Sequence, residues 1–140
     1  MQLDHIAVAV RSVDAAADRL CALLGYTRKT TKVTNTRQRV NVVFLSKDGS
    51  LDIKLIEPAD AESPLWDFVQ KGGGLHHVAF KVPDVATACA DLEGRGARVI
   101  AQPAPGEAFA DSLIAFLYLG MGLNVEVIDT AVRLGQIGLP

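Results

Sequence analysis

The sequence predicts an α+β fold of two βαβββ modules related by a pseudo-twofold, their sheets curled into one half-open barrel. Three observations carry this. First, LDHIAVAV at 3–10 recurs as LHHVAFKV at 75–82, with His5 matched to His77 72 residues later. Second, the same offset pairs VVFL at 42–45 with IAFL at 114–117, and LDIKLIE at 51–57 with LNVEVID at 123–129. A constant offset held through successive segments is the mark of an internal repeat. Third, each copy runs from alternating apolar residues to helical spacing and back to alternation, which orders its elements as strand, helix and three strands.

Taken in order, residues 2–10 alternate, with Ile6, Val8 and Val10 on one side and His5, Ala7 and Ala9 on the other. Ser12 is placed to cap a helix over Val13–Leu24, whose apolar residues Val13, Ala16, Ala17, Leu20, Cys21 and Leu24 fall at helical spacing. Gly25 ends it. Strands follow at about 27–33, 39–46 and 51–57. In ESPLWDFVQKGGG at 62–74, Ser63 caps a short helix, Pro64 fits its first turn and Gly72 stops it. The second copy repeats the plan. Its first strand is at 74–82, Asp84 caps a helix over Val85–Gly94, and strands follow at 98–101, 112–119 and 123–128. The expected organisation of residues 1–140 is one domain: module 1 at 2–58, a linker helix at 59–73, module 2 at 74–130 and a tail at 131–140 without clear period. Gln102–Glu107, rich in Pro and Gly, is expected as a loop at the edge of any cavity.

Half of the chain is apolar and the net charge is −2, with no basic stripe, which argues against nucleic acid as a partner. No uncharged apolar run approaches the roughly 18 residues of a membrane span, and no basic-then-apolar leader opens the sequence. A cytoplasmic location is the default expectation. Cys21 and Cys89 read as buried thiols rather than a disulfide.

The alternation sends Ile6, Val8, Ile53, Leu55, Val78, Phe80, Val125 and Val127 toward the helices, and His5, Lys54, His77 and Glu126 to the opposite face, inside the barrel. Lys54 and Glu126 are themselves 72 residues apart, so four titratable side chains converge on one shared polar site. His76 is expected on the far side of its strand, without function. Trp66 and Phe68 read as helix packing, Asn41 and Lys81 as rim residues, and Glu107 as a solvated carboxylate.

This plan resembles the vicinal-oxygen-chelate superfamily, which includes glyoxalase I, extradiol dioxygenases, bleomycin-resistance proteins and methylmalonyl-CoA epimerases. The epimerases are most similar. LDHIAVAV, IEPADAESPLWDFVQKGGGLHHVAFKV and NVEVID lie in the epimerase order, and the likeness covers residues 3–129. The resemblance implies a divalent metal ion (Zn, Co, Ni, Mn or Fe) held by His5, His77 and Glu126. It implies a metal-dependent isomerase, epimerase or lyase that abstracts a proton next to a carbonyl, with Glu126 as base and Lys54 as paired acid or enolate counter-ion. The implied substrate is a small molecule such as an acyl-CoA thioester, and the implied assembly a homodimer. Two alternatives stand beside it: a non-haem iron extradiol-type dioxygenase on the same three ligands, and a metal-free, resistance-type binding protein. Two positions depart from the pattern. Lys54 stands where the family has a Gln or Glu ligand, and Tyr118–Gly120 replaces a His-Pro-Lys-type turn near the coenzyme A region.

Overall fold

A computed structural model describes residues 1–138. The first copy contains β1 (Gln2–Ala9), α1 (Val13–Leu24), β2 (Thr27–Arg28), β3 (Val33–Asn35), β4 (Val40–Ser46) and β5 (Asp52–Pro58). A short helix α2 (Trp66–Gln70) links it to β6 (Gly74–Lys81), α3 (Val85–Gly94), β7 (Arg98–Gly106), β8 (Ser112–Tyr118) and β9 (Asn124–Ile128). The strands form one open mixed sheet in the order β2-β4-β5-β1-β6-β9-β8-β7, with β3 also paired to β4. β1 runs parallel to β5 and β6 parallel to β9, and the two copies meet where β1 and β6 pair antiparallel. The pseudo-twofold therefore passes between β1 and β6, and the sheet curls around it as a half-open barrel.

The helix starts follow from their caps. Ser12 Oγ accepts from Ala15 N–H at 3.1 Å, and an Asp84 carboxylate oxygen accepts from Thr87 N–H at 2.8 Å. Under each helix lies an apolar core, and the two cores match residue for residue at the offset of 72. Val13, Ala17, Val43, Leu45, Ile53 and Leu55 correspond to Val85, Cys89, Ala115, Leu117, Val125 and Val127, all buried. A third cluster fills the inner face around Phe44, Ile56, Leu65, Val69, Phe109, Ile114 and Ile128. Cys21 and Cys89 are free thiols, Cys89 buried and Cys21 half-buried.

Four segments differ from the sequence expectation. The linker helix starts at Trp66 rather than beside Pro64: Leu65 is its N-cap, with no side-chain cap bond, and Ser63 Oγ accepts from Leu65 N–H at 3.2 Å in the turn before it. The strand expected at 27–33 is two short pieces, β2 and β3, each paired to β4. Gln102–Gly106 is not a loop but the second half of β7. β7 is an edge strand, where Pro103 and Pro105 remove no ladder bond that a neighbour needs. The tail is ordered over its described residues and straps back across both copies. Leu134 N–H donates to Ala108 O at 2.9 Å, Thr31 N–H to Gly135 O at 2.9 Å and Ile137 N–H to Lys29 O at 2.8 Å. Residues 139–140 of that tail lie outside the described residues.

Candidate functional site

Strand register places the inner-face side chains. On β1 and β6 the central inward residues are Ala7 and Ala79, both fully buried; Ala7 lies beside Lys54 on β5, and Ala79 beside Glu126 on β9. Methyl groups on the twofold leave room for four long side chains. His5, Lys54, His77 and Glu126 fill it, each at most 3% exposed.

Glu126 is the hub. Its Oε1 lies 3.1 Å from His5 Nε2 and its Oε2 3.4 Å from Lys54 Nζ. Burial drives this carboxyl up, but the Lys54 ammonium and the His5 ring outweigh burial and hold it well below the usual carboxylate range. Lys54 Nζ also lies 5.1 Å from the centroid of the Phe109 ring. His77 Nε2 lies 3.4 Å from Glu126 Oε1, but the geometry makes no hydrogen bond, and this buried nitrogen has no partner among the described residues. Burial drives the His77 ring down to about 4, opposed only in part by Glu126.

Two β-bulges shape the shell around the cluster. The β1–β6 register slips once between Leu3 and His5 and again between Ala7 and Val8, leaving Asp4 and His76 as the extra residues. These two positions are also 72 apart. A bulge re-aims the side chain of its extra residue, so Asp4 and His76 each reach the histidine that follows. His5 Nδ1 donates to Asp4 Oδ2 at 2.7 Å, and His76 Nδ1 and His77 Nδ1 lie 2.8 Å apart, sharing one proton donor. Strict alternation sends His76 away from the site; the bulge instead makes it line the cavity with His77. Burial, then the Lys54 charge, lowers the His76 pKa.

Arg133 was hidden in the unpatterned tail. It is buried, hydrogen-bonds Asp4 Oδ2, and stacks its guanidinium over Phe44 and Phe109 at 4.5 and 5.1 Å from their centroids. It also stands 3.9 Å from Asp52, which pairs with Lys29 at 2.7 Å. Glu107 is half-buried and not simply solvated: one oxygen accepts from Thr36 N–H, Thr36 Oγ1–H and Arg37 N–H, pinning the turn before β4. Asn41 bonds Thr34 and Glu57.

A cavity of about 310 Å³ opens onto this cluster. Its walls are Val40, Ile56, Pro64, Leu65, Ile100, Ala101 and Phe116, and its polar groups are Gln38, Lys54, His76, His77 and Asn124. Lys54 and His77 therefore reach the cavity, whereas His5 and Glu126 lie behind them. Trp66 and Phe68 are partly exposed on α2, with Phe68 edge-on to His76 at 5.3 Å.

One donor atom from each of His5, His77 and Glu126 lies within 4.8 Å of the others, the composition of a three-ligand metal site. The fourth position does not fit. An ammonium has no lone pair to give, and Lys54 Nζ is enclosed against the same carboxylate a metal would need. At an effective dielectric of about 20, a divalent ion ~5 Å from it would be repelled by about 7 kcal/mol. As arranged, the cluster is unsuited to a divalent ion.

Residues 4–116 match the Glyoxalase/Bleomycin resistance protein/Dioxygenase superfamily, and the chain belongs to that family. Among relatives, the ethylmalonyl-CoA/methylmalonyl-CoA epimerase of Cereibacter sphaeroides is 31% identical over 106 residues, covering 74% of this chain and 78% of that one. The mouse mitochondrial methylmalonyl-CoA epimerase is 31% identical over 105 residues. The match spans 58% of the mouse enzyme's length, and 56% of that of the uncharacterized Bacillus subtilis protein YqjC. Among solved structures, the methylmalonyl-CoA epimerase of Mycobacterium tuberculosis superposes with a TM-score of 0.82 at 29% identity, covering 93% of this chain and 88% of that one. Another methylmalonyl-CoA epimerase, in complex with methylmalonyl-CoA and NH4+, superposes with a TM-score of 0.79 at 30% identity, covering 94% and 96%.

Proposed function

We propose that this chain is an epimerase or isomerase that moves a proton at the carbon next to the carbonyl of a small acyl thioester. The observation that carries the reading is that Lys54 and His77 both line the apolar cavity, with His77 Nε2 lacking a hydrogen-bond partner among the described residues. The epimerase relatives supply the reaction class and the substrate class. The apolar walls suit an acyl chain, and the two polar groups suit its reacting carbon and oxygen.

His77 Nε2 is the proton acceptor in this reading. In the tautomer whose Nδ1–H donates to His76 Nδ1, the Nε2 lone pair carries no hydrogen bond among the described residues. Glu126, the base the sequence pointed to, lies behind the wall and is held as a carboxylate by Lys54 and His5. Its part is to orient Lys54 and to stabilise the His77 imidazolium when that forms, from 3.4 Å away. An epimerase of this fold has been solved with NH4+ and its thioester; this chain carries an ammonium of its own, on Lys54. Arg98, stacked over Tyr118 at 5.5 Å, provides a cation beside the turn that lacks one in sequence.

The test is deuterium incorporation at the α-carbon of methylmalonyl-CoA, and of other acyl-CoA thioesters, followed by proton NMR in D2O. The reading expects exchange with at least one thioester, and a fall of ~100-fold or more in His77→Phe. A thioester that binds without exchanging its α-proton would favour the binding-protein alternative.

A further inference from the structure

We infer that the Lys54 ammonium supplies the cation of the site, standing where this family's fold would place a divalent metal ion. The inference rests on the proton-transfer reading above and names the group that stabilises its intermediate.

Four observations converge. The repeat makes Lys54 the mate of Glu126, so β5 delivers Nζ to the point where β9 delivers a carboxylate, 3.4 Å apart. Nζ is buried and fixed on a second side by the Phe109 ring. Each of these carboxylates already has a cationic partner without an ion: Glu126 pairs with Lys54, Asp4 with Arg133 and Asp52 with Lys29. A divalent ion would add two uncompensated charges there, and a buried charge without a partner is strongly unfavourable. Finally, both ring nitrogens of His5 are already engaged by carboxylates, Asp4 at 2.7 Å and Glu126 at 3.1 Å. To serve as a ligand, His5 would have to give up its Glu126 contact. Of the cluster's cation and its carboxylate, only the cation reaches the cavity.

The step balances on these groups and solvent water. The Cα–H bond breaks and its proton goes to His77 Nε2. The electron pair left behind forms the Cα=C bond, and the carbonyl π pair moves onto oxygen. Lys54 N–H donates to that enolate oxygen, which is an interaction stronger in the transition state than in the ground state. Solvent water delivers a proton to the opposite face of Cα, which completes epimerisation, and the hydroxide left takes the proton from His77 Nε2, restoring the base with nothing oxidised or reduced.

The test uses the full chain, stripped with a chelator and checked by elemental analysis. Cobalt(II) is titrated by calorimetry and by its visible absorption, and α-proton exchange is followed with and without it. Wild type is expected to exchange equally in both conditions and to show no cobalt band. Lys54→Gln, which removes the charge and adds an oxygen donor, is expected to bind cobalt at least ~100-fold more tightly than wild type. Without metal it should lose exchange. Lys54→Met, with wild-type far-UV circular dichroism, should also lose exchange by ~100-fold, which separates loss of charge from misfolding. Exchange by wild type only after cobalt is added overturns the inference and leaves the epimerase reading standing. No exchange by wild type in either condition overturns the epimerase reading, and the titrations still decide the place of Lys54. Cobalt bound by Lys54→Gln but not wild type upholds it; equal binding, or none by either, overturns it.

Discussion

His77 shows how one residue's surroundings set its chemistry. Full burial keeps the ring neutral at pH 7, so a neutral imidazole rather than a second cation lines the cavity with Lys54. The same shift predicts a pH dependence of stability for the metal-free protein. The unfolded ring takes up a proton near its ordinary value of about 6.5, while the folded ring does so only near 4. Between those values the unfolded state binds more protons, so stability falls as the pH drops from about 6.5 toward 4. Urea unfolding at several pH values in this window checks it, with His77→Gln expected to flatten the slope. A wild-type slope no steeper than the variant's would mean that His77 is not held neutral. His5, His77, Lys54 and Glu126 were legible as one site because repeat and alternation agree on them. His76 and Arg133 were not. A bulge is one extra residue in one strand, invisible to a period of two, and Arg133 sits in a tail whose docking depends on the whole barrel.

At the scale of elements, the helices were the most readable parts, because caps and apolar spacing fix both ends: Val13–Leu24 and Val85–Gly94 stand where Ser12, Gly25 and Asp84 put them. Strands were less so, because pairing decides them. β7 extends through two prolines once it lies at the sheet edge. The connection from α2 into β6 is the most constrained turn. Gly73 has φ of +65°, and a Cβ there would stand 2.4 Å from the Ala9 carbonyl oxygen. That contact locks the end of β1 against the start of β6, the seam between the copies. Gly73→Ala should therefore cost roughly 2–4 kcal/mol, combining left-handed strain with a backbone clash. Gly49→Ala, at φ +75° with open space around it, should cost only about 1–2 kcal/mol. Urea midpoints at constant m-value compare the two; equal costs would show that the β1–β6 seam relaxes freely.

For the whole molecule, the repeat explains why a site exists at all. Each copy buries one face under its helix with matched cores, and the two inner faces cover each other together with Leu65 and Val69 of the linker and Arg133 of the tail. Joining them at β1 and β6 closes the inner space and forces His5 to meet His77 and Lys54 to meet Glu126. The symmetry is then broken by chemistry: Asp4 backs one histidine and His76 the other, a cation stands opposite a carboxylate, and only one half of each pair reaches the cavity. An asymmetric site on a symmetric frame is what a reaction at one carbon and one oxygen requires. The most direct measurement is a crystal structure of this protein with a nitronate analogue of an acyl-CoA enolate. The account predicts the analogue's charged oxygen hydrogen-bonded to Lys54 Nζ, its reacting carbon facing His77 Nε2, and no metal ion between them. A divalent ion bridging the oxygen to His5, His77 and Glu126, with Lys54 turned away, would contradict it.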